Sequence, residues 1–207
     1  YLRSIRSMDD QIGRLLDALD RQGVADETIV VYASDQGFFL GEKGWFDKRW
    51  MYEESLRMPL LVRWPGVVEE GSESTALVQN LDIAQTFLDA AGVKVPGSMQ
   101  GRSLVPLMKG NTPQNEREAL YYHYYEYPAV HSVMRHEGIR TDRYKLIHHY
   151  WVDQWSLFDL KTDPRELHNM YGHPDYAQVT ERLKQRLRTL KDRYEVPEDE
   201  TEVEPYK

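Results

Sequence analysis

A carboxylate and an amide stand side by side at Asp35 and Gln36, just after an apolar run and just before Gly37; Lys48 follows thirteen residues later. Carboxylate and amide oxygens are the donors a hard divalent cation takes. An ammonium group nearby can return positive charge to an anion in the same pocket. The chemistry these types could do together is metal-assisted handling of an oxyanion. Two plainer readings stay open on the residues alone. Asp and Gly are also turn formers, and Lys48 beside Arg49 is also the make-up of an exposed basic pair.

The elements around them must place these side chains. Residues 28–33, Thr-Ile-Val-Val-Tyr-Ala, show no polar alternation, the pattern of a strand covered on both faces in a parallel sheet. Asp35 then sits at the carboxyl end of that strand, where open α/β sheets gather their ligands. Upstream, Ile5, Met8, Ile12, Leu15, Leu16 and Leu19 recur at three- and four-residue steps before Gly23, which predicts an amphipathic helix with a glycine stop. Helix and strand make half of a βαβ unit. Asp9 and Asp10 diverge by about a third of a turn on that helix and belong to its wet face. Residues 60–64 form a second short strand ended by Pro65-Gly66. Asp82-Ile83-Ala84-Gln85 has the form of a capping box that opens a helix stopped by Gly92.

A longer string carries a resemblance. Ser34-Asp35-Gln36-Gly37, Leu40-Gly41-Glu42-Lys43-Gly44, Lys48, Tyr52-Glu53-Glu54-Ser55-Leu56-Arg57-Met58-Pro59-Leu60 and Arg63-Trp64-Pro65-Gly66 follow one another in the order and spacing seen in one family. The string resembles the second half of the type I sulfatases of the alkaline phosphatase superfamily. The likeness covers residues 1–110 and runs more loosely to 194. It implies that Asp35 and Gln36 ligate calcium and that Lys48 contacts the sulfate group. Gln36 stands where many relatives carry Asn or His. It also implies hydrolysis of a sulfate ester, on a carbohydrate, with His123 and His131 reaching the substrate from a segment over the sulfate pocket.

Such sulfatases attack with a formylglycine made from Cys or Ser in a Cys/Ser-x-Pro/Ala-x-Arg motif. The chain has no cysteine and no match to that motif with serine. The chain opens at Tyr1 without a methionine, so it is expected to be the carboxyl-terminal portion of a longer enzyme, inactive alone, with its nucleophile outside this chain. By the same resemblance a periplasmic, secreted or lysosomal-type compartment fits, and the sequence leaves it open. Two alternatives stand: a phosphatase or phosphonate monoester hydrolase of the same superfamily, and a non-catalytic module that binds sulfated glycans.

Composition narrows the classes. The 207 residues are 41% hydrophobic and 12% aromatic, enough to bury a core in one domain with a smaller lobe. The net charge of −8 gathers in the tail 195–204, while the basic residues of 182–193 alternate with apolar ones at helical spacing. That argues against a nucleic-acid partner. Absence of cysteine removes disulfides, thiolate catalysis and Cys-based zinc sites. No apolar run approaches a membrane span. Gly37 to Gly44 is not a phosphate-binding loop, because its lysine spacing is wrong and no Ser or Thr follows. Phe38, Phe39, Trp45, Phe46 and Trp50 could line a sugar cleft. His148 and His149 are adjacent, face opposite ways in a strand and cannot share a metal.

The expected fold is α/β: part of a central mostly parallel sheet with flanking helices, alkaline-phosphatase-like, followed by a small four-stranded antiparallel sheet with a carboxyl-terminal helix. Residues 119–125, 132–140, 144–150 and 154–160 supply the four strands. Tyr176, Val179, Leu183, Leu187, Leu190 and Tyr194 mark the helix. The domains are expected as 1–110 and 111–207, joined by a polar link at 111–117. An uncovered apolar edge at the first strand would let the piece self-associate.

Overall fold

A computed structural model describes residues 1–111 and 117–198. Helix α1 (Leu2–Gln22) ends where Gly23 turns left-handed, at φ 69°; the Gly23 N–H closes on the Asp20 carbonyl and the Val24 N–H on that of Leu19. The glycine stop therefore acts as its sequence position predicts. Asp9 and Asp10 are exposed, and Asp10 pairs with Arg6 at 3.0 Å across one helical turn.

Strand β1 (Val30–Ala33) is shorter than the apolar run that predicts it. It pairs antiparallel with β2 (Leu60–Arg63), Val31 opposite Val62. The ladder that the described chain supplies to the expected parallel layer is thus antiparallel, and Val30, Val31 and Tyr32 are only half-buried. The covering on both faces that the run calls for does not come from these residues. Between the strands lies the one-turn helix α2 (Glu53–Leu56).

Helix α3 (Leu81–Ala90) carries a correction. Asp82 is not its cap: Asn80 holds that position, and Asp82 lies inside the first turn, fully buried. Its carboxylate accepts both guanidinium arms of Arg117 at 2.7 Å, and the backbone N–H groups of Gln79 and Arg102 at 2.8 Å. The acidic residue that reads locally as a cap is the anchor joining α3 to residues 35 positions away. Arg117 lies at the edge of the expected link, of which 112–116 fall outside the described residues. The one-turn helix α4 (Val105–Met108) follows α3.

The second half is a meander. Strands β3 (Ala119–Tyr124), β4 (His136–Thr141), β5 (Tyr144–His149) and β6 (Gln154–Asp159) pair in chain order, each antiparallel to the next. Helix α5 (Ala177–Arg193) lies on one face, where Leu183 and Leu187 pack against Ile139, Leu146 and Leu157. The other face holds Ile147 and Phe158 against Met51 of the preceding half. Gly138 makes that approach possible, because a Cβ there would overlap the Met51 sulfur and the Leu146 carbonyl. Among the described residues no helix is long and apolar enough to cross a membrane.

Candidate active site

The loop after β1 and the loop before α2 are tied together by side chains that share acceptors. The Gln36 amide nitrogen donates to the Lys48 carbonyl at 3.2 Å, to the Ser55 carbonyl at 2.7 Å and to the Ser55 hydroxyl at 2.9 Å. The Ser55 hydroxyl in turn donates to the Lys48 carbonyl in a short hydrogen bond. Ser55 is fully buried. Gly37 permits the contact. Its N–H donates to the Ser55 carbonyl at 2.9 Å, and a Cβ would overlap the Glu54 carbonyl and lie 2.7 and 2.9 Å from those of Ser55 and Arg57.

Three acceptors around one nitrogen fix which way the amide faces. With the amide nitrogen committed to those acceptors, the Gln36 side-chain oxygen, an acceptor with two lone pairs, is on the other side of the amide. Beside it the Asp35 carboxylate is exposed and, among the described residues, meets the Ser34 hydroxyl at 3.5 Å. Two adjacent oxygen groups with no cation partner among the described residues fit a hard metal ion such as calcium. No group of three or more His, Asp or Glu stands close enough to hold a metal among the described residues, so Asp35 and Gln36 would supply only part of the ligands that such an ion takes.

Lys48 and Arg49 have separate environments. Arg49 pairs with Asp47 at 3.0 Å and lies 3.7 Å from Glu126, while its carbonyl accepts the Tyr122 hydroxyl at 2.7 Å. Lys48 is exposed and makes no ion pair among the described residues. Asp47 accepts the backbone N–H groups of both at 2.6 Å, so the Lys48 backbone is held from both ends while its ammonium stays available. The structure thus ties the Gln36 side chain to the Lys48 backbone, with Asp35 next to Gln36 in the chain.

The two histidines lie elsewhere. His123 is on the α5 face of the sheet, bonded to the hydroxyls of Tyr121 at 2.9 Å and Tyr150 at 3.0 Å, with its ring against Tyr125. Its neighbour Tyr122 is the residue that reaches the Arg49 backbone on the opposite face. His131 is exposed in the connection between β3 and β4.

The aromatics divide. Phe39 is fully buried and meets Trp45 edge-on; Trp45 stacks on Trp50 at 4.9 Å. Trp50 stacks on His136 at 5.7 Å and meets His149 at 5.8 Å. Burial pushes the His136 imidazole down to about 4 and lowers that of His149, so neutral rings support the Trp50 end of the Lys48 loop. His148 faces the other way, stacked on Trp155 at 3.7 Å. Phe38 and Phe46 form the exposed pair at 5.5 Å, the part of the aromatic set open to a sugar.

A buried charge cluster joins the two halves behind the loops. Lys145, fully buried, reaches Glu53 at 2.8 Å and Glu166 at 2.6 Å. Glu166 accepts the Glu53 backbone N–H at 2.8 Å, and Arg140 pairs with the Glu53 carboxylate at 3.1 Å. Burial alone would raise the Glu53 carboxyl, but Lys145 and Arg140 together outweigh it and hold it at about 2. Burial wins at Glu166, whose carboxyl is raised. Sequence reasoning missed this cluster because its contacts span up to 113 positions. The one local signal is a lysine followed by Leu146 and Ile147 within a strand.

Comparison with known proteins gives concordant matches. The C-terminal family model of N-sulphoglucosamine sulphohydrolase matches residues 41–193. An N-acetylglucosamine-6-O-sulfatase of Bacteroides thetaiotaomicron is 53% identical over 197 residues, covering 94% of this chain and 35% of its own length. A solved structure described as in complex with its substrate D-glucosamine-2-N,6-O-disulfate superposes with a TM-score of 0.94 at 51% identity, over 97% of this chain and 42% of that one. The phosphonate monoester hydrolase of Agrobacterium radiobacter superposes with a TM-score of 0.82 at 26% identity, over 92% of this chain and 40% of its own. The chain spans about a third of the length of the curated relatives it matches.

Proposed function

The chain belongs to the sulfatase family, of which it carries the carboxyl-terminal region, and on that premise we propose that the whole enzyme hydrolyses a sulfate ester of an amino sugar, the 6-O-sulfate of glucosamine being the first candidate. The observation that supports this reading is the bond from the Gln36 amide to the Lys48 carbonyl, with Asp35 beside Gln36, in a chain 53% identical to an N-acetylglucosamine-6-O-sulfatase. The nucleophile is expected outside this chain, as a formylglycine.

The residues present have separable tasks. Asp35 and the Gln36 carbonyl oxygen would hold calcium, whose charge offsets that of the sulfate when bound. Lys48 directs an unpaired ammonium at the sulfate oxygens, stabilising them as they gain charge in the transition state. Ser55 and Asp47 fix the loops, so little reorganisation accompanies the reaction. Phe38 and Phe46 offer apolar ring faces to the sugar, and His131, exposed between β3 and β4, stands as a further substrate contact, whereas His123 lies on the α5 face.

A phosphonate or phosphate monoester hydrolase is the second reading, favoured by the 26% likeness to the Agrobacterium enzyme. Both substrates are tetrahedral oxyanion esters that need the same metal and lysine chemistry. The deciding experiment assays the full-length enzyme on N-acetylglucosamine 6-sulfate and on phosphate and phosphonate monoesters, with and without a calcium chelator. Sulfate release that disappears on chelation supports the proposal. Turnover of phosphorus esters with none of the sulfate ester overturns it.

A further inference from the structure

On the sheet face turned away from Lys48, α5 and the ends of β4 to β6 enclose a cavity of about 350 Å³. Its charges are unequally matched. Lys191 is neutralised by Glu137, at 2.9 and 2.8 Å. Asp153 accepts from His148 at 3.0 Å and from the Trp155 indole at 3.1 Å. Lys184 instead donates to a neutral hydroxyl, Tyr171, at 2.9 Å, and its ammonium sits 4.4 Å over the Trp155 ring. Arg188 is exposed and makes no ion pair among the described residues.

Lys184 and Arg188 stand one turn apart on the same helical face, both lining the cavity. Like charges at that spacing repel, and no carboxylate lies within ion-pair distance of either among the described residues. Tyr171 and Trp155 hold the Lys184 ammonium in place ahead of any ligand. Lys184, held by Tyr171 and Trp155, and the exposed Arg188 are two cations with no ion pair among the described residues, in a concave polar site where Asp153 feels the Lys184 charge only from beyond ion-pair distance; such a pair is suited to an oxyanion. A single sugar at Lys48 is on the wrong side of the sheet to meet them, whereas successive charged units of one polymer can occupy both places.

We propose that the cavity under Lys184 and Arg188 is a second binding site, remote from the reaction centre, for a sulfate or carboxylate group further along an anionic polysaccharide. The proposal rests on the sulfated-sugar reading above for its choice of polymer. Its role would be to anchor chains and leave small substrates unaffected.

The test is affinity electrophoresis of the full-length enzyme through gels containing dextran sulfate or neutral dextran. Parent enzyme is compared with a Lys184→Gln/Arg188→Gln double variant and with Arg182→Gln/Lys161→Gln, which removes equal charge outside the cavity. The cavity variant should lose about fivefold in dextran sulfate affinity at low salt, the control pair far less, and neutral dextran should retain none. Arg188→Glu, an exposed change that keeps the Trp155 and Tyr171 contacts, should give the same loss with an unchanged Tm. Equal losses in both double variants, or none in either, would overturn the site. If inorganic sulfate raises the parent's Tm, but not the cavity variant's, while dextran sulfate is not retained, the polymer reading fails. Polymer binding lost with the cavity cations in an enzyme that releases no sulfate from any ester leaves this site standing and removes the proposed function instead.

Discussion

The side-chain amide of Gln36 donates to the backbone carbonyl of Lys48 at 3.2 Å, so a candidate metal ligand and a candidate anion contact are held by one hydrogen bond between two loops. The buried Ser55 hydroxyl completes the junction by bonding to both. Removing it leaves the Gln36 amide with one acceptor fewer and the Lys48 carbonyl without its hydroxyl donor. Ser55→Ala should destabilise the enzyme by about 1–3 kcal/mol and lower kcat more than it changes KM. Denaturant unfolding and steady-state kinetics check both; unchanged kcat with the expected loss of stability would confine Ser55 to the fold.

Gly37 gives a sharper version of the same argument. Backbone carbonyls of residues 54, 55 and 57 occupy the space where a Cβ would stand, and a carbonyl cannot swing aside as a long side chain can. Gly37→Ala should therefore push the Asp35 and Gln36 loop off Ser55, at a cost of about 1–3 kcal/mol and with most activity lost. Alanine at Gly13, an exposed position inside α1 where nothing lies near the added Cβ, is the control without a clash and should stabilise by up to about 1 kcal/mol.

The Asp82 and Arg117 pair predicts a large, purely structural effect. Asp82 is fully buried and Arg117 nearly so, in a two-armed contact at 2.7 Å. Arg117→Met leaves a buried carboxylate with only two N–H donors, and should cost about 3–5 kcal/mol. Asp82→Asn/Arg117→Met should recover part of that loss, since it removes the uncompensated charge. Thermal or urea unfolding of the three proteins measures it, and a double variant no better than the single would show that the Arg117 stem, not its charge, carries the contact.

What was legible in the chain was whatever local spacing dictates. The periodic apolar residues of α1 and α5, the glycine stop at Gly23 and the four strand segments after residue 118 all emerge as their patterns require. The Gln36 amide reaches the Lys48 backbone carbonyl, which joins two of the stretches that carry the resemblance. Illegible were the roles set by distant partners. Asp82 has a cap's sequence context, yet a guanidinium 35 positions away decides its place. Lys145 is an inward-facing cation whose two carboxylates come from before β2 and after β6. The run at 28–33 looks doubly covered, but pattern alone does not say which residues cover it. His123 alternates with Tyr122, so one register step in β3 sends it to the α5 face.

Acid stability tests the Lys145 cluster. The Glu53 carboxyl, held at about 2 by Lys145 and Arg140 against its burial, binds its proton less readily folded than unfolded. Its stabilisation is therefore complete above the ordinary carboxylate range near 4.5 and is lost as pH falls toward about 2. Glu166 is raised by burial and works the other way, since its ionisation costs more in the folded protein. Glu53→Gln should destabilise at neutral pH and flatten the loss between about pH 5 and pH 3. Unfolding free energies across that range decide it, and parallel curves for parent and variant would refute the charge coupling.

Lys48 carries the chemical prediction. It is exposed, its backbone is clamped by Asp47 and Gln36, and its ammonium makes no ion pair among the described residues, so its loss should leave stability within about 0.5 kcal/mol. If it stabilises charge that grows in the transition state, Lys48→Ala should cost about 10²-fold or more in kcat in the full-length enzyme. A group that bound only the ground state would raise KM and spare kcat. Lys48→Arg keeps the charge on a longer, planar head and should recover part of the rate. Near-normal turnover in Lys48→Ala would remove the residue from the reaction, and with it the reason for the Gln36 and Ser55 bonds to end on its carbonyl.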